Sequence, residues 1–188
     1  MVKKFFLSIS LVLPLLLMSC NEESKENYQK TNASKYDNDN KLVLKSSHES
    51  MIWNTFSEGI KKSKKNNKKI FLDFYTDWCS YCKKMDNETF TNQKVYNFMN
   101  KNFVSIKVNA ESDNIVEFNG KKVTERELAT IFGVSAYPTL FFMNTETEAI
   151  GQLPGFVHPD HLYDIANYVF SDSYKTISFE EFKKKNAL

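Results

Sequence analysis

The sequence predicts an α/β fold of three layers, a central mixed β-sheet flanked by helices. Three observations predict it. The early order of apolar and amphipathic runs is strand, helix, strand, the pattern of a βαβ unit. Two further strand-like runs separated by a tight turn follow, and then an amphipathic helix; such an alternation places helices on both faces of the sheet. Aromatic residues make up 14% of the 188-residue chain, enough apolar material for one compact core.

Each element has its own signal. Thr55-Phe56-Ser57-Glu58 is a capping-box pattern, which opens a helix whose apolar spacing is Phe56 and Ile60. Lys61 to Lys69 reads as the solvated face and exit of that helix. An apolar strand runs from Ile70 to Tyr75, a helix is expected after Cys79 to about Met85, and another from Asn92 to Lys101. Phe103 to Val108 reads as a second core strand. The stretch from Asn109 to Lys122 is expected to be a surface loop. Thr124-Glu125-Arg126-Glu127 is a second capping box, and its helix stops near Gly133. Thr139 to Met143 is a third strand, Asn144 to Thr147 a turn, and Ala149 to Leu153 a fourth strand. From Pro159 to Phe170, Leu162, Ile165, Ala166 and Val169 fall on one helical stripe. Ser178-Phe179-Glu180-Glu181 caps a last short helix, and the tail from Ser171 onward is read as a cover over part of the sheet.

The first 20 residues read as a targeting segment. Lys3 and Lys4 precede an apolar run from Phe5 to Met18, about 14 residues against the ~20 a membrane-spanning helix needs. The run ends in Leu17-Met18-Ser19-Cys20, which resembles a bacterial lipoprotein signal. That resemblance implies cleavage before Cys20, lipid on Cys20 and attachment to a membrane in the bacterial cell envelope. The stretch that follows is rich in Asn, Lys, Ser, Glu and Asp, and cannot bury enough surface to offset its ordering entropy. A flexible tether of about 27 residues spans ~30 Å. Leu42-Val43-Leu44 fits either a short strand or the start of the folded part. The expected organisation is a signal segment at 1–19, lipidated Cys20 and tether at 20–47, a domain at 48–172 and a helical extension at 173–188.

The chain holds 25 basic and 23 acidic residues. Without Lys3 and Lys4 the two counts are equal, so nothing argues for nucleic acid or an anionic surface as partner. There are three cysteines. If Cys20 carries lipid, Cys79 and Cys82 remain, too close in sequence to staple a fold.

These two carry the chemistry. Leu72-Asp73-Phe74-Tyr75-Thr76-Asp77-Trp78-Cys79-Ser80-Tyr81-Cys82-Lys83 places a Cys-x-x-Cys where a buried strand gives way to a helix. The first turn of a helix leaves backbone N–H groups unpaired and carries the positive end of its dipole. A Cys79 thiolate is stabilised there and is the attacking species in disulfide exchange. Cys82, one turn on, can resolve the mixed disulfide. A zinc site completed by His158 and His161 is the metal alternative, and haem attachment would need His at Lys83.

The segment resembles the active-site region of the thioredoxin superfamily, in particular periplasmic thioredoxin-like domains such as the C-terminal domain of the DsbD disulfide reductase. Over residues 50 to 170 the resemblance implies the thioredoxin-like three-layer fold and catalytic roles for Cys79 and Cys82. It implies a buried acid at Asp73 that assists proton transfer at Cys82, and a lysine beside it at Lys107, although a lysine on a strand otherwise reads as exposed. Trp78 matches the family residue that flanks the first cysteine and is expected to wall the site; Tyr81, between the cysteines, reads either as a surface residue shaping substrate contact or as one without a role. Tyr137-Pro138-Thr139 resembles the family's loop with a cis proline, where an extended substrate segment pairs; Gly151 and Gly155 fall where the family has glycines. Ser80-Tyr81 between the cysteines departs from the Gly-Pro of cytoplasmic thioredoxins. The implied activity is thiol–disulfide exchange, without a cofactor, between disulfide-bearing exported proteins and a membrane or periplasmic electron donor, in the reducing direction. The alternatives are a non-catalytic thioredoxin-fold binding module and a disulfide-forming oxidase.

Overall fold

The computed structural model describes residues 50–186. The signal segment, Cys20, the tether to residue 47 and Leu42–Leu44 lie outside them.

Five strands form the main sheet: β1 (Trp53–Asn54), β2 (Ile70–Tyr75), β3 (Val104–Asn109), β6 (Thr139–Met143) and β7 (Ala149–Pro154). Their order is β1-β3-β2-β6-β7. β3 runs parallel to both β1 and β2, with Asp73 opposite Lys107. β6 is antiparallel to β2 and to β7. The sheet is therefore mixed, as expected, with β2 at its centre.

Its two faces are covered separately. Because side chains alternate along a strand, Phe71 turns to one core and Ile70, Leu72 and Phe74 to the other. The Phe71 side is closed by Met85 and Phe90 and by helices α3 (Gln93–Asn102) and α5 (Pro159–Phe170). The Leu72 side is closed by α1 (Phe56–Asn66) and α4 (Glu125–Ile131). Both helices of the second side start in complete capping boxes, at Thr55 with Glu58 and at Thr124 with Glu127. Gly133 ends the α4 segment at φ +68°, a conformation glycine adopts without a Cβ clash.

Three expectations are corrected, and one, the helix after Cys79, holds and is extended. The two-residue strand β1 has no counterpart among the expected strands; it is too short to show an alternation, and it joins the sheet only through its register with Ser105 and Ile106. Asn109–Lys122 is not a simple loop: it leads into an antiparallel hairpin, β4 (Ile115–Phe118) and β5 (Lys121–Thr124). Asn119 and Gly120 turn it, both at positive φ, the backbone a tight hairpin requires. The helix after Cys79, α2 (Ser80–Lys84), continues into a π-helical turn at Met85–Thr89. The C-terminal tail packs on a helix and not on the sheet. Its helix α6 (Phe179–Asn186) lies against α5, with Phe182 buried against Tyr168 and the Tyr168 hydroxyl donating to the Ile177 carbonyl.

Candidate active site

β2 and α2 meet at the site. Asp73 interrupts the apolar run from Ile70 to Tyr75 and ends up 1% exposed in the middle of the sheet, not at a strand end. Thr76 to Trp78 turn the chain, and Cys79 becomes the N-cap of α2 with extended backbone angles. Its Sγ accepts the Cys82 N–H at 3.0 Å, so one of the unpaired donors of the first turn points at sulfur. Cys79 and Cys82 are bridged, with their Cα atoms 5.3 Å apart, inside the range a disulfide needs. Both are buried, whereas Trp78 is 65% exposed and Tyr81 59%.

An acid–base cluster lies on the same side of the sheet as Phe71, Met85 and Phe90. Lys107 Nζ is 3.8 Å from Asp73 Oδ2 and donates a hydrogen bond to Asp86 in the π turn. Its ammonium also sits over the Tyr75 ring, 4.9 Å from the centroid. The side chain of Lys107 is mostly covered, which corrects its reading as an exposed strand lysine. Burial raises the Asp73 carboxyl from its ordinary 3.8 to about 7. Lys107 opposes that rise and Asp86 adds to it. Burial wins because the lysine's closest bond goes to Asp86, and Asp73 Oδ1 has no hydrogen-bond partner among the described residues. Burial also raises the Tyr75 phenol, with Asp77 and Glu125 adding to it.

The Tyr137–Pro138 peptide is cis. The Tyr137 ring meets Trp78 edge-on, 6.0 Å between centroids, so this loop and the cysteine loop share one surface. The Pro138 carbonyl accepts the Gly155 N–H at 2.7 Å, and Gly155 holds φ +83°. Gly151 pairs with Phe142 in the sheet. His158 packs edge-on to Phe156 and His161 to Phe179. Among the described residues, no group of three or more His, Cys, Asp or Glu side chains is placed to hold a metal.

The structure adds two contributors that the sequence does not single out. Asp86 lies four residues past Cys82, a spacing that puts it on the same helical face and could have marked it. Glu111 accepts the Trp78 indole N–H at 2.9 Å; it lies in a loop 33 positions away, with no local pattern to mark it.

A family model described as a thioredoxin-like domain matches residues 56–170. The chain belongs to the thioredoxin-like family. Over 109 residues it is 31% identical to the thiol:disulfide interchange protein DsbD of Campylobacter jejuni, covering 58% of this chain and 18% of that protein. Over 70 residues it is 36% identical to rat spermatogenesis-associated protein 20, covering 37% of this chain and 9% of that protein. The chain thus spans less than a fifth of these curated relatives. Among solved structures, a thioredoxin-fold protein from Helicobacter pylori aligns with a TM-score of 0.56 at 22% identity, over 64% of this chain and 80% of the other. A candidate disulphide-isomerase from Bacteroides thetaiotaomicron aligns with a TM-score of 0.50 at 30% identity, over 65% and 93%. Fold and Cys-x-x-Cys pair together are those of a thiol–disulfide oxidoreductase in kind.

Proposed function

We propose that the chain reduces disulfides in exported proteins through Cys79 and Cys82, held at the bacterial cell envelope by lipid on Cys20. The observation that carries this reading is the Cys79 sulfur capping α2 within bonding reach of Cys82. In the reduced form, the Cys79 thiolate attacks one sulfur of a substrate disulfide. A Cys79–substrate S–S bond forms, and the other substrate sulfur leaves as thiolate and takes up a proton. Cys82 then loses its proton, with Asp73 as the buried acceptor, and attacks the Cys79 sulfur. The second substrate sulfur is released, two electrons have passed to the substrate, and the protein carries the Cys79–Cys82 bridge. A membrane or periplasmic dithiol donor returns the two electrons by the same exchange.

Trp78, Tyr81, Tyr137 and Pro138 form the substrate-facing surface, the first two through their exposure and the Tyr137 loop through its packing on Trp78. The proposed catalytic domain spans 48–172. The reducing direction rests on the sequence's resemblance to reducing domains of the envelope. A disulfide-forming role would use the same two sulfurs in reverse, and a potential near ~−270 mV against one near ~−120 mV separates the two.

Purified protein with a dithiol donor is expected to reduce a model protein disulfide, and Cys79→Ser to abolish the reaction. Cys82→Ser is expected to accumulate the mixed disulfide, visible as a mass adduct on Cys79. Full turnover by Cys79→Ser refutes the assignment.

A further inference from the structure

The indole of Trp78 is exposed, yet it is not free. Its N–H donates to Glu111 Oε1 at 2.9 Å, and the edge-on ring of Tyr137 stands on another side. Glu111 is itself held. Its backbone N–H donates to Asn109 Oδ1 at 3.0 Å, and its carbonyl accepts from the Arg126 guanidinium at 2.7 Å. Asn109 Nδ2 in turn donates to Asp77 Oδ2 at 3.2 Å, next to Trp78 in the chain. Asp77, Asn109, Glu111 and Trp78 thus close a ring of bonds between the cysteine loop and the segment that leads from β3 into the β4–β5 hairpin.

An exposed aromatic side chain normally keeps its rotamer freedom and loses it on binding, which costs affinity. Here that freedom is removed beforehand. A rigid, amphipathic ring offers large contact area at low entropic cost. The bond does not reach the sulfurs, so its effect belongs to substrate capture and not to exchange.

We infer that Glu111 is a positioning residue that fixes Trp78 as one wall of the protein-substrate site, so that the site favours extended polypeptide disulfides with apolar neighbours over small disulfides. The inference rests on the oxidoreductase reading. The hydrogen bond, not the charge, is the working part: Gln keeps the acceptor oxygen and Ala does not.

The test compares wild type, Glu111→Gln and Glu111→Ala on two substrates, a disulfide-bearing peptide with apolar flanks and oxidised glutathione. Glu111→Ala is expected to raise KM for the peptide about fivefold, the size of one ordinary hydrogen bond. Its kcat on the peptide and its turnover of glutathione disulfide should stay within about twofold of wild type, inside ordinary context dependence. Glu111→Gln should match wild type. In a Trp53→Phe background, time-resolved fluorescence anisotropy should show faster motion of Trp78 in Glu111→Ala and not in Glu111→Gln. An unchanged peptide KM in Glu111→Ala, an equal loss on both substrates, or a Gln variant as impaired as Ala overturns the inference while an active wild type leaves the oxidoreductase reading standing. A wild type inactive on both substrates overturns both.

Discussion

Asp73 is an acid that the fold buries beside the cysteine loop, where we propose that it takes up the Cys82 proton. An acid in the middle of an apolar strand costs stability when ionised, and the structure keeps that cost: the carboxyl is raised from 3.8 to about 7. Because the folded value is raised, the acid's contribution is fully present below about pH 4 and lost as pH climbs through 7. The oxidised protein should therefore lose stability between pH 4 and pH 8, by a few kcal/mol at most, since a tenfold change in proton affinity is worth about 1.4 kcal/mol. Asp73→Asn should flatten that dependence and be the more stable protein at pH 8. Urea unfolding of both proteins at the two pH values measures the difference, and a wild type more stable at pH 8 than at pH 4 relative to the variant would contradict it. The acid is legible in the sequence through the family resemblance of its position ahead of Cys79. Its neighbour Asp86 has only its four-residue spacing from Cys82 to mark it, and the π turn that carries it follows the helix without a break in pattern.

At the scale of elements, close packing between α1 and β3 depends on one glycine. A Cβ built on Gly59 would collide with the Ile106 side chain, which is fully buried. In a close-packed interior that side chain has little room to move away, so Gly59→Ala should cost about 1–3 kcal/mol, the usual range for overpacking. A lowered urea midpoint at unchanged slope measures it, and a variant as stable as wild type would show that Ile106 repacks freely. Elements with a strong local signal are readable in advance: the two capping boxes, the apolar run of β2 and the stripe of α5 all fall where expected. Of the unread ones, only β1 depends on a partner distant in the chain. β1 has only two residues and exists through its pairing with β3. The β4–β5 hairpin hides in a polar stretch where only Val116, Phe118 and Val123 join the core, too few for alternation to stand out.

For the whole molecule, the sheet order brings the Cys-x-x-Cys, the buried acid and the Tyr137 loop together around the central strand. Phe74 and Thr139, far apart in the chain, are register partners because β2 and β6 pair antiparallel. Each stands close to its own segment of the site, Phe74 before the cysteine loop and Thr139 after Pro138. That meeting follows from topology, and topology is what a single sequence carries least directly; the resemblance of Tyr137-Pro138-Thr139 to a family loop is its only trace there. Among the described residues no helix is long and apolar enough to cross a membrane, and the proposed attachment rests on Cys20 alone.

The central claim is that Cys79 is ionised at the opening of α2. The rate of alkylation of the reduced protein, followed against pH with Cys82→Ser to isolate the first sulfur, tests it most directly. A midpoint well below the ~8.5 of a free thiol is the predicted result; a midpoint at or above that value would contradict it.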